Sequence, residues 1–399
     1  MCKRREMAKQ NKTVRMQEYE GQECIALRPL WEEVFWEDSE EFTEYYFKEK
    51  AGCNHAFALK DGESAVAMVH LTPYEMELRV GVDFVREKVS YIVGVATKKE
   101  FRHRGYMDVL LKKSLYDMYQ EKQPFTFLMP ADPAIYRPYQ FAYIYDRESF
   151  EWKDMAALES EWSISVFQES ETEELLNYVN QTLRKRQDVF IKRDRNYYRT
   201  MVKELHAQNG GLYLVRKKAA DVYGDRFRTE KKNGRKRNEI NGFFLYTEEA
   251  GIPEIQEAVW SDERPLFQVK KERKPIIMAR IVCLYRLLSL LRTKDGEEET
   301  TISFAMEDPL LAENNGVWSC RLSRTQAAVV HENAGSRVQD REGCRTECFV
   351  TADGLISFLF GCREAEECFT FPEGADAENV LCKLNSIQLF RRVFINEIV

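Results

Sequence analysis

Hydrophobic and polar positions change rhythm several times along the chain. In "RPLWEEVFWEDSEEFTEYYFKEK" (residues 28–50), Leu30, Val34, Phe35, Phe42, Tyr45 and Tyr46 recur at helical spacing. "HAFALKDGESAVAMVHL" alternates as two strands around Asp61-Gly62, a dipeptide that suits a tight hairpin. "KVSYIVGVAT" reads as a further strand, and from Gly105 onward Met107, Leu110, Leu111, Leu115 and Met118 mark one face of a helix. "PFTFLMP" is a short apolar strand, and "FAYIYDRESFEW" is another. Helix, hairpin, strand, basic loop with a glycine, helix and strand together predict a compact α/β unit of about 150 residues.

The pattern then repeats its ingredients in a different order. Helices are predicted at "ETEELLNYVNQTLRKR" and "NYYRTMVKELHAQ", and strands at "GLYLVRK" and "NGFFLYTEE", with the apolar run "IMARIVCLYRLLSLLR" closing the region. Beyond the charged linker "TKDGEEETT" come strand-like "TISFAMED", "VWSCRLS", "TQAAVVHE" and "ECFVTA". Helical "ADGLISFLFG" and "AENVLCKLNSIQLF" follow, and the terminus "FINEIV" is apolar enough to dock. The predicted division is 1–150, 151–291 and 292–399, with no internal repeat and no low-complexity segment.

Composition narrows the class. The 399 residues are 44% hydrophobic and 31% charged with a net charge of −7, which disfavours general nucleic-acid binding and mildly attracts a cationic substrate. The densest basic run, "DRFRTEKKNGRKRNE" (residues 225–239), holds one aromatic, Phe227, and reads as a solvated excursion between two strands. Ten cysteines lack CxxC pairs, and His55, His70, His103, His206 and His331 are dispersed. Reduced thiols are therefore expected, with no zinc site. No apolar run reaches the roughly 20 residues of a membrane span, and no apolar core follows the basic start, so a cytoplasmic protein is expected.

Candidate chemistry concentrates in "VGVATKKEFRHRGYMDVLLKKSL". Arg102-His103-Arg104-Gly105 falls between a predicted strand and an amphipathic helix. Helix N-termini carry unpaired N–H groups and a positive dipole end, and arginines add charge-assisted hydrogen bonds, so a phosphate would fit there. The competing reading is a solvated turn. "QNGGLY" (residues 208–213) has a similar pattern but feeds a strand, which makes it a decoy.

This stretch resembles the coenzyme A pyrophosphate loop of the GNAT superfamily of N-acetyltransferases, R/Q-x-x-G-x-G/A. Arg102, Gly105 and Met107 occupy its defining positions, Met107 standing where the pattern has a small residue. The resemblance implies acetyl-CoA as co-substrate. It assigns cofactor contacts to His103, Arg104 and Tyr106 and to the strand residues Val95, Ala96 and Thr97, whose backbone would meet the pantetheine arm and thioester carbonyl. "PADPAIYRPYQFAYIYD" is similar to the corresponding segment of the enhanced-intracellular-survival (Eis) group, matching at Ile135, Tyr136 and Tyr143. Ala131 replaces that group's serine, and Ala131 and Asp132 are the expected cofactor contacts there.

From that group follows an expected α+β architecture: tandem GNAT-type mixed-sheet domains, the second degenerate, then a sterol-carrier-protein-like α/β domain. It implies Tyr136 as the acid for the leaving thiolate, the backbone N–H of Val95 as the group polarising the acetyl carbonyl, and the α-carboxylate of Val399 as the base. It also implies a homo-oligomer, often a hexamer, and an acceptor that is a small cationic amine or a lysine side chain. The alternative is an acyl-CoA- or lipid-binding protein with a vestigial transferase domain.

Overall fold

The computed structural model describes residues 14–153, 161–218, 239–249, 251–261, 266–333 and 346–397. The basic excursion, apart from Glu239, and Val399 lie outside the described residues. The chain divides into two compact units, one of Met1–Ile144, Ile277–Val393 and Glu397–Val399, the other of Tyr145–Ile276 and Phe394–Asn396.

The first unit is organised by a sheet of β1 (Arg15–Glu20), β2 (His55–Asp61), β3 (Ser64–Val80), β4 (Asp83–Thr97) and β5 (Phe125–Leu128), hydrogen-bonded in that order. The hairpin expected at Asp61-Gly62 joins β2 to β3. β3 and β4 form a second, longer hairpin that the sequence pattern hid. Its outer half, "TPYEMELRVGVDFVRE", carries Pro73 and many charges, yet Glu77 is buried against Arg86 across the pair. Edge strand β1 was also missed, because only Tyr19 of its six residues turns inward.

The expected helix over residues 28–50 is broken. Arg28–Val34 and Glu40–Tyr45 are separate helices, the second started by Ser39, whose hydroxyl accepts from the Phe42 N–H at 3.1 Å. Their aromatics cover one sheet face, with Trp31 stacked on Tyr46 at 4.2 Å and both rings beside His70. On the opposite face the helix Tyr106–Gln120 buries Leu110, Leu111, Leu115 and Met118, as its periodicity predicts.

The remainder of this unit holds a five-stranded sheet. Thr300–Glu307 is its centre, antiparallel to Gly316–Leu322 and parallel to Cys348–Thr351. "IMARIVCLYRLLSLLR" resolves into the end of the strand Phe267–Ile281, paired antiparallel to β5, and the helix Leu284–Ser289. Phe304, Leu355, Phe358, Leu288 and Leu384 line a core cavity of about 10 Å³.

The second unit has a four-stranded antiparallel sheet, Ile252–Trp260, Ile240–Glu249, Gly211–Lys217 and Trp162–Val166 in spatial order. Trp162, Phe244, Trp260 and Phe267 anchor its core. The helices Thr172–Arg186 and Arg195–Ala207 fall where the pattern predicts them. The described cysteines, all in the first unit, are free thiols.

Candidate functional site

β4 and β5 are parallel but share a single register pair, Tyr91 with Phe127, whose rings stack at 5.0 Å. β5 is paired along Phe125–Leu128 on its other edge, so the gap opens only toward β4. Both strands run in the same direction, and beyond Tyr91 and Phe127 no register pair joins them among the described residues, so Ile92–Thr97, still paired with β3, and Met129–Asp132 continue at one end without a ladder between them. Backbone groups of β4 that face β5 in that stretch lack ladder partners, the arrangement needed to hold an extended ligand by main-chain hydrogen bonds.

A bulge reinforces the opening. Val93 pairs with His70 and Ala96 with Met68, so Gly94 and Val95 stand opposite Val69 alone. Gly94 has φ +60°, and a Cβ there would lie 2.5 Å from the Trp31 ring, so only glycine fits. Val95 and Thr97 are half-buried and Ala96 is buried.

The loop beyond β4 presents its chemistry outward. Arg102, His103, Arg104 and Gly105 are exposed, and Tyr106 and Met107 are half-buried. The Arg102 Nε donates to the Thr97 carbonyl at 3.1 Å and an Arg104 N–H to the Glu100 carbonyl at 2.8 Å. Both guanidiniums keep further donors for a ligand. Gly105 is the N-cap of the helix Tyr106–Gln120 at φ +77°, and no side chain caps that helix. A Cβ at Gly105 would meet nothing within 4 Å. The N–H groups of Tyr106, Met107 and Asp108 thus open onto solvent space beside two arginines. Met107 lies inside the first helical turn and is half-buried.

Tyr136 ends the short helix Pro133–Tyr136 that follows β5, capped by Asp132 through its carboxylate and the Ala134 N–H at 2.8 Å. Asp132 is therefore a capping residue, and Ala131 beside it is exposed. Tyr136 is 8% exposed, packed edge-on to Phe141 at 5.9 Å, and burial pushes its phenol up to about 12. Tyr139, in the next turn, is also raised, by burial and then by the Asp108 carboxylate. That coupling puts the tyrosine turn within electrostatic reach of the cradle helix.

Other groups around the cleft carried no sequence signal of their own. His70 lies fully buried under the bulge, its imidazole pushed down to about 3 by burial, with Nδ1 3.4 Å from the Asn54 amide. Tyr74, next to Tyr91 and Phe127, donates to the buried Glu397 carboxylate at 3.0 Å. The glycine in "VGVA" was the one readable hint, since a glycine inside a strand marks a bulge. Away from the cleft, Glu18, Glu20 and His55 bring ligand-type atoms within 4.8 Å of one another, and His55 is paired with Glu18 at 2.7 Å.

Comparison with known proteins identifies part of the chain. The model of the acetyltransferase (GNAT) domain matches residues 15–144, so the chain carries a GNAT acetyltransferase domain there. No curated protein matches the sequence. Among solved structures, a conserved Enterococcus faecalis protein of unknown function, a probable N-acyltransferase, is similar at TM-score 0.68 and 17% identity, over 96% of this chain and 97% of that one. A GCN5-related N-acetyltransferase from Anabaena variabilis gives 0.68 and 14%, over 96% and 100%. Eis1 from Mycobacterium abscessus gives 0.64 and 11%, over 96% and 100%. The fold is shared along almost the whole chain. Among the described residues no helix is long and apolar enough to cross a membrane.

Proposed function

We propose that the protein transfers an acetyl group from acetyl-CoA to a primary amine, a small cationic amine or a lysine side chain, by direct attack in a ternary complex. The observation that carries this reading is the junction at Arg102–Gly105. It combines an uncapped helix N-terminus, two exposed arginines and a main-chain cleft leading away from it. A pyrophosphate bound at the first would lay its pantetheine arm along the second.

In this reading the amine nitrogen attacks the thioester carbonyl carbon, and negative charge collects on the carbonyl oxygen, which the Val95 N–H stabilises. The C–S bond then breaks, the nitrogen gives up a proton, and the sulfur gains one. Tyr136 serves the sulfur. With its phenol near 12, full transfer to a thiolate of ordinary pKa, about 8.5, would run uphill by roughly 5 kcal/mol. The phenol therefore acts first as a hydrogen-bond donor to the departing sulfur. The resemblance gives the amine's proton to the carboxylate of Val399, and adding one residue after Val399 tests that assignment: unchanged turnover removes it from the mechanism.

The same reading takes the second unit's four-stranded sheet as the degenerate acetyltransferase copy and the five-stranded sheet as the sterol-carrier-like domain. A lipid-carrying role is not favoured. The cavity lined by its apolar core residues holds about 10 Å³, no more than a single water needs.

The test is thiol release from acetyl-CoA with polyamines, aminoglycosides and lysine peptides, wild type against Tyr136→Phe. Loss of the phenol should lower kcat by ~10²–10³ and leave KM for acetyl-CoA unchanged. A phenol near 12 stays protonated through the alkaline range, so it imposes no fall in kcat below about pH 11. Folded wild-type protein that releases no thiol with any amine would overturn the proposal.

A further inference from the structure

Arg280, at the end of the strand Phe267–Ile281, is 0% exposed. A guanidinium so placed loses its hydration and must be repaid by hydrogen bonds. All its edges are occupied. One terminal nitrogen donates to the Ile281 carbonyl at 2.8 Å, the other to Asp308, and Nε donates to the Tyr139 carbonyl at 2.7 Å. Asp308 is equally buried and equally satisfied, accepting from the Leu310 and Leu311 N–H groups at 2.9 and 3.0 Å and from the Asn314 amide at 3.0 Å.

Such a pair is a poor device for stability alone, since a well-packed apolar pair of the same volume commonly does as well. What an apolar pair lacks is direction. The Arg280 Nε–H fixes one carbonyl, that of Tyr139, the last residue of the turn Arg137–Tyr139, which is continuous with the helix ending at Tyr136. The turn is internally rigid: the Gln140 N–H donates to the Arg137 carbonyl at 2.9 Å, the Phe141 N–H donates to the Tyr136 carbonyl at 3.4 Å, and Phe141 packs on the Tyr136 ring. Held at Tyr139 and bonded back at Tyr136, it links the Arg280 contact to Tyr136 through a single hydrogen-bonded turn.

We infer that Arg280, oriented by Asp308, is a positioning residue that sets the Tyr136 hydroxyl at the departing sulfur. The inference rests on the acid role proposed for Tyr136. It also assigns a task to the segment after residue 300. Asp308 directly follows the strand Thr300–Glu307, so the five-stranded sheet region supplies the last link of the acetyltransferase site.

The experiment is a double-mutant cycle in the full chain. Arg280→Lys keeps a charge for Asp308 and loses the planar fork that reaches the Tyr139 carbonyl. It should lower kcat at least tenfold with KM for acetyl-CoA within twofold of wild type. In a Tyr136→Phe background the same change should alter kcat by less than twofold. Nitration of Tyr136 by tetranitromethane, followed by peptide mass, gives a readout independent of turnover, and it should quicken in Arg280→Lys as the turn loosens. Should Arg280→Lys fail to fold, Asp308→Asn is read by the same criteria. Equal losses in both backgrounds, or wild-type kcat and nitration in a folded variant, would overturn the inference. Absence of thiol release by the wild type would instead overturn the transferase reading, and unchanged nitration would then overturn the hold by itself.

Discussion

Two strand-to-helix junctions in this molecule start from similar sequence and end in opposite states. In the first unit β4 runs through Arg102-His103-Arg104-Gly105 into the helix Tyr106–Gln120. In the second unit the strand Val189–Ile191 runs through Lys192-Arg193-Asp194 into the helix Arg195–Ala207. The second helix is capped by its own chain, the Asp194 carboxylate accepting from the Tyr197 N–H at 2.8 Å. Arg193 is buried and forked onto Glu257, one arm at 2.9 Å, with the Tyr197 and Phe394 rings against its guanidinium. The first helix has a glycine where the second has a cap, and arginines in solvent where the second has one in the core. Basic residues before a helix therefore do not make an anion site. Such a site also needs unspent N–H groups and unspent guanidinium donors.

The largest break in the comparison is at Arg193. Arg193→Met leaves the Glu257 carboxylate buried without its partner, and the second unit should lose ~3–5 kcal/mol of stability. Denaturant unfolding followed by the two buried tryptophans of that unit, Trp162 and Trp260, reads the loss. Arg193→Met combined with Glu257→Leu removes both charges and should recover most of it. A single variant as stable as wild type would mean that the fork contributes nothing, and the contrast between the junctions would rest on the cap alone.

The next effect is smaller and lies at Gly105. Gly105→Asp brings a negative charge to the mouth of the cradle, where space is open, while Gly105→Asn brings the same shape without charge. Both residues tolerate the left-handed backbone better than most, so strain is common to the pair. The aspartate variant should raise KM for acetyl-CoA by ~10–100-fold, about 1.4–2.8 kcal/mol, and the asparagine variant by far less. Acetyl-pantetheine has no pyrophosphate, and neither variant should change its kinetics. Equal effects on both thioesters would place the pyrophosphate elsewhere.

The same contrast marks where the sequence was readable. Periodicity located the helix Tyr106–Gln120 and the strands on either side of it, because apolar spacing depends only on which face is buried. The junction proposed as the pyrophosphate cradle was visible too, as a glycine and arginines at a strand-to-helix boundary. What stayed hidden is built from residues distant in sequence. Arg280 reads as an interruption in an apolar run, and only the fold brings it to Asp308 and the Tyr139 carbonyl. Glu397 reads as one acidic residue in an apolar tail until Tyr74 is placed beside it. His70 reads as an isolated histidine, and its burial under the Gly94 bulge depends on the pairing of β3 with β4. The outer half of that hairpin was lost for a related reason. Glu77 pairs with Arg86 across the strands, so polarity there signals pairing instead of solvent.

The smallest effect sharpens the comparison from the other side. Asp194→Ala removes the cap that the first junction never had. The Tyr197 N–H then loses its acceptor, and the helix Arg195–Ala207 should weaken by ~1 kcal/mol, the usual cost of deleting an N-cap carboxylate. Freed N–H groups alone should not create a second anion site, because Arg193 stays committed to Glu257. Tripolyphosphate, offered as a competitor with acetyl-CoA, separates the two junctions. It should inhibit wild type and Asp194→Ala with the same constant and lose its effect in Gly105→Asp. Thermal unfolding of Asp194→Ala with and without tripolyphosphate should show the same increment as wild type. A larger increment would mean that uncapping suffices for anion binding, and the exposed arginines at Arg102 and Arg104 would cease to be what distinguishes the two junctions.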